Sequence, residues 1–364
     1  MSETQEHGEF TVVIDSIGSA SPMVSQVLSD AFQIPSELIV KVLYSTPSVL
    51  LHEIEEELAT RAVELLQQLG LQVRKQSSED PLPPTPEALD VGVYIPDAAL
   101  LPQICHQITD FVGCSQQEAL NLLLNEPCVV LGGVSRATAE ALDNRLDAEV
   151  IVSDPKSAEY TLEVLGEDAM LLKQLQTYLD RAGISIDLKT ERKIYPLAYM
   201  ASQELWRRYQ STGMVKLSNH DFQRYEVVLT GVDEGKPDYK AKLVEFTGMP
   251  EEIVEEVLEN LPIQVEASVN SQKIEEVVSQ YTTEGLMVDT VLLEQTHHKL
   301  VVEEIQDMQK SREVLSQYIP QEELPTKIPT PWYAPVPMND LMVRYVAAQL
   351  EAIGCEVDVE PLQA

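Results

Sequence analysis

Aromatic residues are scarce in this sequence, at 5% of the chain, and only 5 residues are phenylalanine. Hydrophobic residues of all kinds still make up 44% of the 364 positions. The buried interior must therefore be built mainly from Leu, Ile, Val and Ala. This composition favours several small helix-on-sheet modules over one large enzyme core, because a single core rarely grows beyond about 250–300 residues.

Cations are also few, with 25 Lys and Arg against 60 Asp and Glu and a net charge of -35. Binding to nucleic-acid phosphates needs a dense lysine and arginine surface. An acidic surface likewise disfavours contact with anionic lipid. The sequence therefore predicts neither a nucleic-acid partner nor a membrane partner, and favours proteins with basic surfaces.

The sequence has little cysteine and no long apolar run. Its 4 cysteines match no disulfide framework and no CxxC zinc pattern. No uncharged apolar stretch reaches the roughly 18 residues that a membrane span needs. The first ten residues, MSETQEHGEF, are polar and acidic, unlike a secretory signal. We expect a cytoplasmic protein in a reducing compartment.

Motifs that carry chemistry are missing as well. The pair Gly132-Gly133 lacks the spacing of a phosphate-binding loop. The pair His297-His298 has no further ligand at metal-binding spacing, and Cys105 falls at an apolar helical position. We find no catalytic, metal-binding or cofactor-binding residues, and the sequence predicts a protein that is not an enzyme.

What the sequence does contain is a repeated order of elements. Residues 225–292 show it best, with the strand YEVVLTGV, the helices KPDYKAKLVEFTG and MPEEIVEEVLENLP, the strand IQVEASV, the helix NSQKIEEVVSQYTTEG and the strand LMVDTV. Asn270 or Ser271 is a plausible N-cap of the third helix. The interval from a strand-opening proline to a helix-ending glycine is the same in three places: Pro47 to Gly70, Pro262 to Gly285, and Pro331 to Gly354.

We therefore predict an α+β fold, a tandem array of about five small βααβαβ modules. Each would be a three-stranded antiparallel sheet covered by three helices. The predicted boundaries are module 1 at 8–76, a proline-rich semi-rigid linker at 77–90, a divergent module 2 at 91–154, a divergent module 3 at 158–220, module 4 at 224–292, and a shortened module 5 at 298–361.

Module 4 resembles the C-terminal domain of the ribosomal stalk protein. Residues 247–258, TGMPEEIVEEVL, are similar to that family's Thr-Gly-Leu-Gly-Leu-Lys-Glu-Ala-Lys-x-Leu-Val signature, and Gly285-Leu286-Met287-Val288 is similar to its final Gly-x-x-Val. The resemblance implies the βααβαβ fold, which is also that of the adaptor protein of Clp unfoldases. It also implies protein binding through the second helix, because two signature lysines of the family help to bind translation GTPases there.

The two signature lysines fall on Glu252 and Glu255 of this chain. Reversing the charge of a docking face repels the partner that the original face attracted. The resemblance thus supports the fold and weakens the inherited function. Glu252 and Glu255 nevertheless remain candidates for binding a different partner.

Two other pairs are candidate partner-binding residues. Trp332 and Tyr333 lie in residues 324–340, where five prolines favour an extended string that displays its side chains. The alternative places Trp332 in the core beside an edge strand. Arg207 and Arg208 belong to the most positively charged module and point to an acidic neighbour, either another module or another subunit, unless they form only a solvated surface.

These observations favour a non-enzymatic scaffold or adaptor that binds one or more proteins, or further copies of itself, through repeated modules. A translation-associated factor with stalk-like binding is the alternative, and a small-molecule enzyme is a third interpretation. A binding module predicts exposed apolar side chains on the repeated second helix. An enzyme predicts one deep polar cleft between modules.

Overall fold

The computed structural model describes residues 8–124, 128–233, 235–236, 238–293 and 298–361. Across these residues, thirteen α-helices accompany five separate three-stranded antiparallel sheets. The predicted α+β class and its repeated small sheets are therefore confirmed. The packing divides the chain into two compact units, one formed by residues 1–154 and 296–364 and the other by residues 155–295.

The first unit holds three of the sheets. Module 1 contains β1 (Phe10–Ser16), α1 (Met23–Phe32), α2 (Ser36–Tyr44), β2 (Ser48–Ile54), α3 (Glu56–Gln68) and β3 (Gln72–Ser77). Module 2 contains β4 (Leu89–Tyr94), α4 (Leu101–Val112), α5 (Gln116–Leu124), β5 (Val129–Val134), α6 (Arg136–Asp143) and β6 (Glu149–Ser153).

The second unit holds the next two sheets along the chain, and the fifth sheet belongs to the first unit again. Module 3 contains β7 (Glu159–Val164), α7 (Ala169–Ala182), β8 (Lys193–Ala198), α8 (Tyr199–Tyr209) and β9 (Val215–Asn219). Module 4 contains β10 (Arg224–Val232), α9 (Tyr239–Thr247), α10 (Val254–Glu259), β11 (Ile263–Asn270), α11 (Ser271–Thr283) and β12 (Leu286–Leu293). Module 5 contains β13 (His298–Glu304), α12 (Met308–Leu315), β14 (Trp332–Tyr333), α13 (Asp340–Glu351) and β15 (Glu356–Pro361).

Every sheet has the same topology, with the first strand of the module in the centre. In module 1, β1 pairs antiparallel with β2 on one side and with β3 on the other. The central strand is rich in β-branched residues, which suit a pleated strand buried on its helix-facing side. Val12 and Ile14 of β1 are fully buried among Leu28, Leu43 and Leu66 of the three helices. Each module therefore closes a small aliphatic core between its sheet and its helices.

The recurring prolines and glycines mark equivalent points of three modules. Pro47, Pro262 and Pro331 stand directly before the second strand of modules 1, 4 and 5. Gly70, Gly285 and Gly354 lie between the last helix and the last strand with φ values of 90°, 86° and 87°. Residues with a Cβ avoid this left-handed region, so glycine suits the point where the chain leaves the helix.

Modules 3 and 5 contain two α-helices within their described residues, one fewer than expected. In module 3, Gly183 has φ 74° and ends α7, and the Asp187 side chain then accepts a turn hydrogen bond from the Lys189 N–H at 3.0 Å. In module 5, prolines at 320, 325, 329 and 331 remove backbone donors that a second helix needs. Ile319 and Ile328 of this proline-containing segment are instead buried in the core of module 5.

Modules 1 and 2 pack directly on each other, although residues 77–90 were predicted to form a semi-rigid spacer between them. The Tyr44 hydroxyl donates to the Phe111 carbonyl at 3.0 Å, and the Ser135 N–H donates to the Tyr44 carbonyl at 2.9 Å. Arg145 donates to the carbonyls of Gly18 and Ala20. These bonds and a shared aliphatic core join the two modules directly, and the semi-rigid character of residues 77–90 stays a prediction.

Module 5 packs on module 2 through polar anchors of α13. Arg344 donates to the carbonyls of Ile95 at 2.9 Å and Pro96 at 3.2 Å. The Asn339 side chain donates to the Leu124 carbonyl at 2.7 Å while it accepts from the Met342 N–H as the N-cap of α13. Module 2 thus lies between modules 1 and 5 in the first unit.

Modules 3 and 4 meet at the short turn His220–Phe222, which joins them. The Asn270 amide donates to the Asp221 carbonyl at 3.1 Å, and its oxygen accepts from the Gln272 N–H at 2.8 Å. Asn270 is therefore both the N-cap of α11 and a bond between the two modules. This confirms one of the two caps predicted for that helix.

Candidate protein-interaction surfaces

Glu252 and Glu255 lie on the second helical segment of module 4, where the resemblance placed them. The segment consists of a 3₁₀ turn at Glu251–Ile253 followed by α10, and its Val254 and Val257 point into the core. Because the apolar positions recur with helical spacing, the remaining positions face outward. We call the five exposed carboxylates there the acidic ridge: Glu251, Glu252, Glu255, Glu256 and Glu259.

One member of the acidic ridge has a cation beside it. Lys240 of α9 forms an ion pair with Glu255, and this hydrogen bond raises the pKa of the Lys240 ammonium. Glu252 lies nearby with its side chain exposed. The second helical segment of module 4 therefore presents acidic side chains to solvent at the positions where the stalk signature has lysines.

Arg207 and Arg208 are both exposed on α8 of module 3, where Leu205 and Tyr209 are buried. The Arg208 guanidinium lies over the Tyr178 ring of α7, with 5.2 Å between its carbon and the ring centroid. A cation over an aromatic face is held by the ring quadrupole. Arg208 therefore has a fixed place between the two helices, whereas Arg207 is exposed and is not among the residues that line the groove beside it.

A groove runs between α7 and α8 at Arg208 and has a volume of about 570 Å³. We call it the cationic groove, because three of its lining residues are Lys173, Arg181 and Arg208. Tyr178 lies in its wall, and burial together with a hydrogen bond to Glu204 raises the pKa of the Tyr178 phenol. The groove thus combines three cations with a phenol whose raised pKa keeps it neutral.

Of the two interpretations of Trp332, the structure favours the core position beside an edge strand, and partner binding by Tyr333 stays a prediction. Trp332 is 7% exposed and packs in the core of module 5, and its backbone pairs with Val302 of the central strand. The string of prolines therefore does not display the indole to a partner, because the short strand β14 turns it inward. Because side chains alternate along a strand, Tyr333 lies on the opposite face of β14 and is 46% exposed. The Lys299 ammonium lies 5.2 Å from the centroid of its ring.

Sequence reasoning missed an apolar surface on the helix pair of module 1. Met23 and Val27 of α1 are 74% and 43% exposed, Ile34 of the connecting turn is 39% exposed, and Leu38 of α2 is 53% exposed. We call these four side chains the apolar face. The other faces of the same helices bury Val24, Leu28, Ile39 and Leu43 in the core.

A signal for the apolar face exists in the sequence. A helix that buries one side needs one apolar stripe, and Val24 with Leu28 already supplies it for α1. Met23 and Val27 form a second stripe four residues apart, and Leu38 directly precedes buried Ile39 in α2. An excess of apolar residues over one stripe predicts a second contact surface.

Among the described residues, the side chains that could bind a metal ion do not gather at one site. Cys105 is buried in α4, and burial, with a smaller contribution from nearby Cys114, raises the pKa of its thiol to about 11. His297 lies outside the described residues. Within the part of the chain that the structure describes, no cluster of three His, Cys, Asp or Glu side chains has metal-binding geometry. No described helix combines the length and apolar character of a membrane span.

Comparison of this chain with family models, with curated proteins and with solved structures finds no match. The resemblance to the ribosomal stalk domain therefore stays a prediction that depends on residues 247–258 and on the order of elements. The surfaces described above carry the functional argument.

Proposed function

We propose that this protein is a non-enzymatic scaffold or adaptor that binds another protein through the helix pair of module 1. The observation that supports the proposal is the apolar face, in which four large apolar side chains of α1, α2 and the turn between them are exposed to solvent. A concentration of exposed apolar side chains on one helix pair is typical of protein-binding surfaces. The stalk resemblance favours the same use, since it assigns partner binding to the second helix.

The charge around the apolar face indicates the kind of partner. Asp30 and Glu37 are exposed at its border, and Lys41 is the cation of α2. The whole chain carries -35 charges, which steer basic molecules toward it. The proposed partner segment is an amphipathic helix that packs its apolar side on the apolar face, with lysine or arginine flanking that side.

Photo-crosslinking in a native cell extract tests this proposal. A photoreactive amino acid placed at Leu38 or Val27 of the full chain should give one discrete protein adduct. The matched control is the same amino acid at Leu82, which is 50% exposed in the segment between modules 1 and 2. Identical adducts from Leu38 and Leu82, or no adduct from Leu38 and Val27, would contradict the proposed docking face.

A further inference from the structure

Positive charge is concentrated in one module of this acidic chain. Residues 155–220 contain nine Lys or Arg and eight Asp or Glu, so this stretch is nearly neutral in a chain of net charge -35. Three of these cations line the cationic groove on one side of module 3. The function proposed for module 1 does not use this groove, which lies in the other compact unit.

The structure assigns the cationic groove a partner that the chain itself supplies: we propose that it binds the acidic ridge of a second copy of this protein. The ridge is a short helical segment that presents five exposed glutamates, of which Glu255 is neutralised by Lys240. The other four face a groove that offers three cations. Opposite charges on facing surfaces fix register and raise the rate of association.

The helical shape of the acidic ridge and the apolar side chains on both surfaces also favour this contact. An α-helix with its side chains is about 10–12 Å across and can lie between two neighbouring helices of a partner. Ile253 is exposed in the middle of the acidic ridge, and Met170 is exposed at the rim of the cationic groove. Each charged surface thus includes one exposed apolar side chain, and packing of the two against each other would add an apolar contact beside the charged ones.

Both surfaces belong to residues 155–295, which form one compact unit. A two-fold symmetric pair of chains would therefore use each groove–ridge contact twice, once in each direction. The proposal does not rest on the function proposed for the apolar face of module 1. Association should survive the substitution Leu38→Gln, and this result separates the two proposals experimentally.

Sedimentation velocity of the full chain over a concentration series provides the test. We expect the apparent mass to rise above the 40.6 kDa of one chain at about 0.15 M salt and to fall back at about 1 M salt, where the Debye length shrinks from about 8 Å to about 3 Å. The double substitution K173E/R208E should weaken the association at least tenfold. The control R207E, on the same helix but outside the groove, should leave it unchanged.

Reversing the charges of both surfaces, each in a different variant, tests whether the cationic groove and the acidic ridge contact each other directly. The variant E252K/E256K alone should be monomeric like K173E/R208E alone, whereas a mixture of the two should associate because opposite charges face each other again. The control E275K, on exposed α11 of the same module, should behave like the unaltered chain. A chain that is monomeric at every concentration, association that neither reversal weakens, or a mixture that does not associate would overturn the proposal.

Discussion

Single polar residues join the modules, and they do so by satisfying backbone carbonyls at module boundaries. Arg145 and Arg344 each donate to two main-chain carbonyls of a neighbouring module, which fixes their position more strongly than an exposed ion pair would. Burial lowers the pKa of the Arg145 guanidinium. In Arg344 burial is the largest single effect and acts in the same direction, but the hydrogen bond and charge of Asp340, with smaller contributions from Tyr94 and Cys128, together outweigh it and raise the pKa.

We expect Arg344→Met to destabilise the first unit by about 1–3 kcal/mol, because the carbonyls of Ile95 and Pro96 lose a charged donor. Urea unfolding of the full chain measures this change. The matched control Arg136→Met removes an exposed arginine that pairs with Glu87 and should cost less than about 1 kcal/mol. Equal effects of the two substitutions would contradict the assigned anchor role.

His220 gives the second unit a dependence on pH. Its ring nitrogen lies 2.6 Å from the Thr161 hydroxyl and its ring stacks on Tyr195, with 4.5 Å between ring centroids. Burial lowers the pKa of this imidazole, and Glu159 and Asp221 only partly oppose the shift. A histidine with a lowered folded-state pKa stabilises the fold above its unfolded value, about 6.5, and loses this contribution as the pH falls.

We therefore expect module 3 to be less stable at about pH 5 than at about pH 8, and His220→Gln to reduce this difference. A Trp332→Phe background leaves Trp206 as the tryptophan of the chain, so fluorescence during urea unfolding reports on module 3. Unchanged pH dependence in the His220→Gln variant would show that other groups cause it.

Among the structural elements, the strands were easier to predict than the helix pairs. Central strands such as β1 are continuous β-branched runs, and Pro47 and Gly70 mark the second strand and the end of the last helix from sequence alone. Module 5 was predicted to be shortened, but the complete loss of the second helix in modules 3 and 5 was not predicted, because apolar residues such as Ile319 and Leu188 fill the core equally well from a loop. Propensity alone does not distinguish these cases.

The candidate surfaces were only partly predictable for a related reason. Arg208 and Glu252 are charged, so their exposure follows from their residue type. Trp332 was ambiguous because a proline-rich string and an edge strand share the same local sequence, and only pairing with Val302 decides between them. The apolar face was missed because an exposed apolar stripe and a buried one have the same helical spacing in the sequence, and only the packing distinguishes them.

A test of the glycine assignment compares Gly70→Ala with Gly183→Ala. Both residues have positive φ, at 90° and 74°, so an added Cβ is strained at each by about 1–2 kcal/mol. At Gly70 the new Cβ would also lie 2.8 Å from the Ala20 nitrogen, whereas at Gly183 nothing lies within 4 Å. We expect Gly70→Ala to lower the free energy of unfolding by clearly more, and equal losses would contradict the close approach.

At the scale of the whole molecule, modules that pack into one compact unit are not all neighbours in the sequence. Modules 1, 2 and 5 form one compact unit although modules 3 and 4 separate them in sequence. The repeats could be predicted from the sequence, but this grouping could not, because the linker residues do not indicate which modules pack on each other. A unit built from distant segments gains stability from each module that docks on it, because a module of this size is marginal alone.

We expect a fragment of residues 1–154 to be less stable than the first unit in the full chain, because the Leu124, Ile95 and Pro96 carbonyls lose Asn339 and Arg344. Adding a separate fragment of residues 298–361 should restore part of this stability. Thermal unfolding with and without the second fragment measures the effect. A fragment of 1–154 that is as stable as the full chain would contradict the docking of module 5.

The most direct test of the scaffold function is the affinity of the protein captured at Leu38. Isothermal titration of that protein into the unaltered chain, the Val27→Gln/Leu38→Gln variant and the Leu82→Gln control compares three surfaces that differ only in exposed side chains. Removing two apolar side chains that the partner would cover should cost about 2 kcal/mol or more, which is roughly a thirtyfold loss of affinity, and Leu82→Gln should bind like the unaltered chain. Equal affinities for all three chains would show that the apolar face is not the docking site.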